Sequence, residues 1–205
     1  ADNAVQLTEQ EACCIGDWLL PRRDGRGLHN LVENSTILPQ CIRAYKNNIA
    51  GFGIGVRYVE DAQETSEMAA EFARAQEVIE LLNTEKDTKE VFADVIEARE
   101  TYGIAYLEII RNLAGEVVQI EFVKDTASVR KTKPLSPYVS SVYYHYGQQL
   151  ERQKRYCKYK QEVGGQTVYF RECGDSRIMD SRNGQYLATG ETLAREYQAN
   201  EILEF

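Results

Sequence analysis

The sequence predicts an α+β fold, with helices in the first half of the chain and a mainly antiparallel sheet in the second. Three observations lead there. Apolar residues recur at helical steps between Leu38 and Tyr102. Beyond Ile104 the pattern changes to short runs rich in Tyr, Val and Ile, punctuated by glycine. A composition of 43% hydrophobic and 27% charged residues over 205 positions is ordinary for a globular chain, so a packed core is expected.

Residues 1–35 begin polar, pass through a turn-rich Pro21 to Gly27 stretch and then place Leu28, Leu31 and Val32 at helical spacing, so residues 1–30 read as an N-terminal lead-in arm. Ser35 or Thr36 can cap the next helix, whose stripe of Leu38, Ile42, Tyr45 and Ile49 predicts a half-buried face ending in a left-handed Gly51. Cys41 is expected on the apolar side of that helix, as a small buried hydrophobe. Phe52, Ile54, Val56 and Tyr58 alternate with Gly53, Gly55, Arg57 and Val59, the period of a strand with one packed face.

From Glu64 to Asn83 the set Met68, Phe72, Ala75, Ile79 and Leu82 forms a narrow helical seam, opposite an acidic face. A further helix starts near Asp87 or Thr88, places Val91, Val95, Ala98 and Tyr102 on one side and stops at Gly103. The short polar link between these two helices predicts a helical hairpin. Ile104–Arg111 and Val117–Val123 flank Asn112-Leu113-Ala114-Gly115 as a β-hairpin. Strands are then expected over Tyr138–Tyr146, Arg155–Val163 and Thr167–Arg171, the last two joined by Gly164-Gly165. The sequence reads as having no repeat, no low-complexity tract and no flexible Gly/Ser linker.

No apolar run approaches the roughly 20 residues of a membrane helix, and the opening lacks a signal peptide's basic-then-apolar order, so a cytoplasmic setting is expected. The five cysteines form no Cys-x-x-Cys pair, and the two histidines, His29 and His145, lie far apart. Neither a disulfide framework nor a metal or other cofactor is expected.

Charge is segregated. Residues 60–100 carry 13 acidic and four basic side chains, a local charge of −9, whereas residues 122–171 carry three acidic and ten basic, a charge of +7. Two readings stay open: solvated faces of separate elements within one subunit, or complementary surfaces between copies.

The usual catalytic patterns fail on inspection. A restriction-type nuclease needs Glu-x-Lys on a strand, and here Glu108 is followed by Ile109 and Ile110. Gly51-Phe52-Gly53-Ile54-Gly55 follows a helix and enters a strand, the reverse of a nucleotide loop. There is no Gly-x-Ser-x-Gly elbow, and the Cys13-Cys14 pair has no nearby histidine. No enzyme is expected. Arg152, Lys154, Arg155, Lys158 and Lys160, interleaved with Tyr156 and Tyr159, offer the mixture that holds phosphates and stacks bases. The same run also suits an exposed strand that resists aggregation, or a subunit interface.

Four stretches together resemble the portal proteins of tailed phages, the HK97-like and PBSX-like group. They are Leu28-His29-Asn30-Leu31-Val32-Glu33-Asn34-Ser35-Thr36-Ile37-Leu38 running on to Gly53; Tyr102-Gly103-Ile104-Ala105-Tyr106-Leu107-Glu108 with Gly115; Phe170-Arg171-Glu172-Cys173-Gly174-Asp175-Ser176-Arg177 with Met179-Asp180 and Asn183-Gly184; and Ala199-Asn200-Glu201-Ile202-Leu203-Glu204-Phe205. Their order and spacing carry the resemblance, since each alone is a short structural pattern. The chain departs from that pattern at Cys173, Ser176 and Glu204.

The resemblance implies a ring of about twelve copies at one capsid vertex, in the virion or host cytoplasm, through which DNA is packaged and ejected. Terminase, capsid and head-completion proteins would be its partners, with no membrane. Portal proteins are longer than this chain. Residues 31–205 would form a wing-like α+β domain, while the stem, clip and channel loop follow the Asn-Glu-Ile-Leu segment in the family. The chain is accordingly expected to be an N-terminal piece, its last residues the opening of a strand.

Overall fold

A computed structural model describes residues 14–21, 24–58, 65–145 and 148–205, apart from the side chains of 143–145. In chain order the elements are β1 (Cys14–Ile15), β2 (Trp18–Leu19), α1 (Gly25–Asn34), α2 (Leu38–Ala50), α3 (Ser66–Glu80), α4 (Thr88–Tyr102), β3 (Tyr106–Arg111) and β4 (Val117–Phe122). They continue with β5 (Val129–Lys131), β6 (Leu135–His145), β7 (Gln148–Tyr156), β8 (Lys158–Val163), β9 (Gln166–Glu172) and β10 (Glu201–Glu204). Helices lead and strands follow, the α+β order that the periodicities predict.

The chain folds as two units, each assembled from separated segments: Ala1–Gly25 with Ala127–Ile202, and Arg26–Thr126 with Leu203–Phe205. In the second unit, α4 supplies the core. Its start is fixed by a capping box, in which the Asp87 side chain accepts from backbone N–H groups while Glu90 accepts from the Asp87 N–H. Its end is fixed by Gly103, left-handed at φ 77°. Between these stops Val91, Val95 and Ala98 pack with Leu82, Ala105 and Leu107, and Phe92, Tyr102, Ile120 and Phe122 close the cluster. The β3–β4 hairpin pairs Leu107 with Phe122 and Ile109 with Ile120 as expected, turning through Gly115 at φ 85°.

The helices before α4 depart from expectation. Helix α2 packs on α4, with Lys46 paired to Glu97, yet Leu38, Tyr45 and Ile49 of the predicted stripe are exposed. Cys41 is exposed as well. The physical reason is that α4 meets the flank of α2 that carries Lys46 and the buried Ala50, so the apolar stripe points away from the core. Ile37 occupies the cap position, while the Ser35 hydroxyl accepts from the Ile37 and Leu38 N–H groups.

Gly51 is right-handed at φ −60°, so the left-handed terminus falls at Gly53, φ 71°. Residues 53–58 form no strand and Phe52 is 89% exposed. Alternation alone failed there because no neighbouring strand pairs with the segment among the described residues. Val59 lies outside the described residues. Helix α3 is capped by Thr65, which accepts from the Met68 N–H, but none of its residues is buried. It does not form the predicted hairpin: among the described residues α4 packs chiefly against α2 and β4, and a Thr88 hydroxyl bond to the Ile79 carbonyl ties the two helices locally.

In the first unit the strand order is β10-β9-β8-β5. Strands β8 and β9 form a tight hairpin from Lys158↔Arg171 to Val163↔Gln166, across Gly164 and Gly165, both at positive φ (59° and 80°). That is the turn whose twist matches a hairpin, and two successive glycines adopt it without a Cβ clash. Strand β10 joins β9 in parallel, the one parallel pairing among the described strands. Strands β6 and β7 form a separate two-stranded ribbon. The predicted Arg155–Val163 strand is therefore two strands, ending at Tyr156 and restarting at Lys158.

Candidate functional site

The basic run from Arg152 to Lys160 lies across the break between β7 and β8, and the structure gives most of it partners within its own unit. The break has a local cause. Cys157 leaves the ladder and donates its N–H to Glu172 Oε2 at 2.7 Å, while Lys154 Nζ meets Glu172 Oε1 at 2.5 Å and stands 4.8 Å from the Tyr156 ring. One carboxylate of β9 thus holds both sides of the interruption.

Past the break, the Lys158 N–H donates to the Thr132 hydroxyl on the far side of β8. Its ammonium donates to the Gly184 carbonyl at 2.5 Å and sits 4.7 Å from the Tyr186 ring centre. Burial, and then the nearby Arg177 charge, push the Lys158 ammonium below the usual lysine range. Lys160 lies 4.9 Å over Trp18 and 2.7 Å from Glu162. Arg155 is exposed and stacks 5.2 Å over Tyr138. Arg152 is exposed on β7. Beside Arg155 an open cleft of about 400 Å³ is lined by Asp17, Lys133, Pro134, Leu135 and Ser136, with Lys133 and Asp17 paired at 3.3 Å.

These cations border a long irregular segment, residues 173–200, which is built from charge rather than from a ladder. Asp175 is 2% exposed. Its Oδ1 accepts from the Arg177 N–H and Nε, and its Oδ2 from Arg177 Nη2 and the Tyr186 hydroxyl. The Arg177 guanidinium lies 3.8 Å from the Tyr186 ring centre.

Five residues on, the arrangement recurs. Asp180 accepts from the Arg182 N–H, Nε and Nη2, and Arg182 lies 4.1 Å over Tyr197. Each is an Asp-Ser-Arg tripeptide folded as an Asx turn, with the arginine forked onto its own aspartate and stacked on a tyrosine. The bond to Arg182 holds the Asp180 carboxyl below the ordinary carboxylate range. Asp-Ser-Arg at 175–177 and again at 180–182 is a short internal repeat, where the sequence reading expected none.

A second buried pair anchors the segment's two ends. Arg171 Nη1 donates to the Asp175 and Arg177 carbonyls, Arg171 Nη2 pairs with Glu201 Oε1 at 3.0 Å, and Glu201 Oε2 accepts from the Gly174 N–H. Gly184 is needed where it stands. At φ 68°, a Cβ there would lie 2.5 Å from the Tyr169 ring. Among the described residues no group of three His, Cys, Asp or Glu side chains is placed to hold a metal ion. What the arrangement does chemically is fix a loop: it neutralises cations inside the unit and satisfies backbone groups that no strand reaches.

The fold and this loop define an α+β protein in which the charged side chains of residues 171–201 organise the local backbone. The particular relatives are of phage origin. The chain is 38% identical over 186 residues to the phage-like element PBSX protein XkdE of Bacillus subtilis (strain 168), which covers 86% of this chain and 37% of that protein. It is 34% identical over 197 residues to the uncharacterized protein YqbA of the same organism, covering 91% of the chain and 38% of that protein. The chain therefore spans a little over a third of the length of these relatives. No family profile matches the sequence. Homology to a protein of a phage-like element marks the chain as phage-related. No described helix is long and apolar enough to cross a membrane.

Proposed function

We propose that this chain is part of a phage portal subunit, a structural protein whose copies close into a ring at a capsid vertex, through which DNA is packaged and ejected. The observation that carries the reading is the likeness to a PBSX phage-like element protein along 86% of the chain. The four portal-like stretches, in order from Leu28 to Phe205, supply the finer identity. In this reading residues 31–205 belong to the outer wing of the ring. Terminase, capsid and head-completion proteins are its neighbours, and no catalytic step is part of its work.

Segregated charge supports an assembling role, because a subunit with an acidic region and a basic one can contact its neighbours head to tail, and such contacts close into rings when the rotation permits. The rival reading, a nucleic-acid-binding module on Arg152 to Lys160, loses support from the internal partners of Lys154, Lys158 and Lys160. The deciding measurement is the native mass of the natural protein that carries this sequence. A closed ring of about twelve copies is expected. A monomer at high concentration would overturn the portal reading, and salt-sensitive DNA binding by residues 152–160 would then become the reading to pursue.

A further inference from the structure

Between Ile37 and Tyr58 the chain carries Arg43, Lys46 and Arg57 and no acidic residue. The same stretch leaves Ile37 68%, Tyr45 49%, Ile49 43% and Phe52 89% exposed. Leu38, Tyr45 and Ile49 share one face of α2, so these side chains form an apolar strip rather than scattered singles. Leaving such a strip in water forgoes the burial that drives folding and association.

Helix α3 is its complement in charge. Ser66–Glu80 holds Glu67, Glu71, Glu77 and Glu80 against Arg74 alone, a charge of −3, whereas residues 37–58 keep Arg43 and Arg57 once Lys46 is paired with Glu97. It buries none of its residues and exposes Val78, with Leu81 just past its end. Fifteen residues make a marginal helix in water without tertiary packing. Within one copy Phe72 of α3 stacks on Tyr58 at 4.7 Å, which leaves the exposed strip of Leu38, Tyr45, Ile49 and Phe52 and the outer acidic face of α3 to be matched.

We propose that α3 of one copy lies on the exposed apolar strip of α2 and Phe52 of a second copy, with its carboxylates toward Arg43 and Arg57. The inference rests on the reading that copies of the protein assemble, and it names the surfaces. Each copy would offer α3 to one neighbour and α2 to another, a contact that propagates around a ring and does not stop at a pair.

The test is sedimentation of the 205-residue chain over a concentration series, with two double variants, Arg43→Glu with Arg57→Glu and Glu67→Arg with Glu71→Arg. The wild-type chain is expected to associate, and each variant alone to associate at least about tenfold more weakly, because like charges then face each other. An equimolar mixture of the two variants should recover association, since the reversed surface of one meets the reversed helix of the other. That recovery also shows that both variants fold.

Three results would overturn the inference: a wild-type chain that stays monomeric, variants that associate as the wild type does, or a mixture no stronger than its components. Loss confined to the Arg43 and Arg57 variant would point instead to two apolar surfaces meeting face to face. None of these outcomes decides the portal reading, which stands or falls on the mass of the natural protein.

Discussion

The carboxylate of Asp175 accepts four hydrogen bonds, three from Arg177 and one from Tyr186, in a site closed to water. Removing it leaves a largely buried guanidinium without its counter-charge, and breaking one half of a buried pair costs about 3–5 kcal/mol. Asp175→Ala should therefore lower stability by about that amount in urea unfolding, and a loss below about 1 kcal/mol would mean that water already screens the pair. Asp180→Ala should cost less, because Arg182 is 58% exposed and regains water when released.

Tyr186 offers a pH signature. Burial first, and then its bond to Asp175, push its hydroxyl well above the ordinary phenol range. A group whose folded pKa is raised gives stability that is complete below its unfolded value, about 10, and is lost as pH climbs toward the folded one. The protein should lose stability above about pH 10 more steeply than a Tyr186→Phe variant, as followed by unfolding midpoints. Equal alkaline slopes would place that hydroxyl in solvent. Little of this was legible beforehand. Forked Asp-Ser-Arg turns leave no periodicity, so only the repeated tripeptide could have flagged them.

Among the elements, those with both a start and a stop signal were readable. Helix α4 has the Asp87–Glu90 box, an apolar face and Gly103, and the β3–β4 and β8–β9 turns have their glycines at positive φ. Replacing Asp87 by Ala should cost about 1 kcal/mol by chemical denaturation, the usual worth of a cap. An unchanged midpoint would mean that packing of Val91 and Val95 alone holds the first turn. The α2 stripe and the Phe52–Tyr58 alternation were misread for a shared reason: a pattern reports which side chains are apolar, whereas burial also needs a surface to meet them. Strand β7 was missed through most of its length because Gln148 to Gln153 holds a single aliphatic side chain, Leu150, and it is a strand through pairing with β6. The break at Cys157 depends on Glu172, 15 positions away, which no local reading connects.

For the whole molecule, fold class and phage kinship were legible from segment order, because helix-then-strand succession and the spacing of the four portal-like stretches survive in any register. The division into two units was not, since each is made of segments far apart in sequence. Both units share a late requirement. Glu201 and Ile202 pair with Arg171 and Glu172 in one, while Phe205 exchanges two backbone hydrogen bonds with Ala105 in the other. As the chain leaves the ribosome from its N-terminus, α4 and the β3–β4 and β8–β9 hairpins can form early from local contacts. Neither unit can be finished until a strand of a few residues, made after all of them, has been translated. A nascent chain stalled before Glu201 would hold two incomplete sheets with open edges, the state in which a chaperone has most to protect.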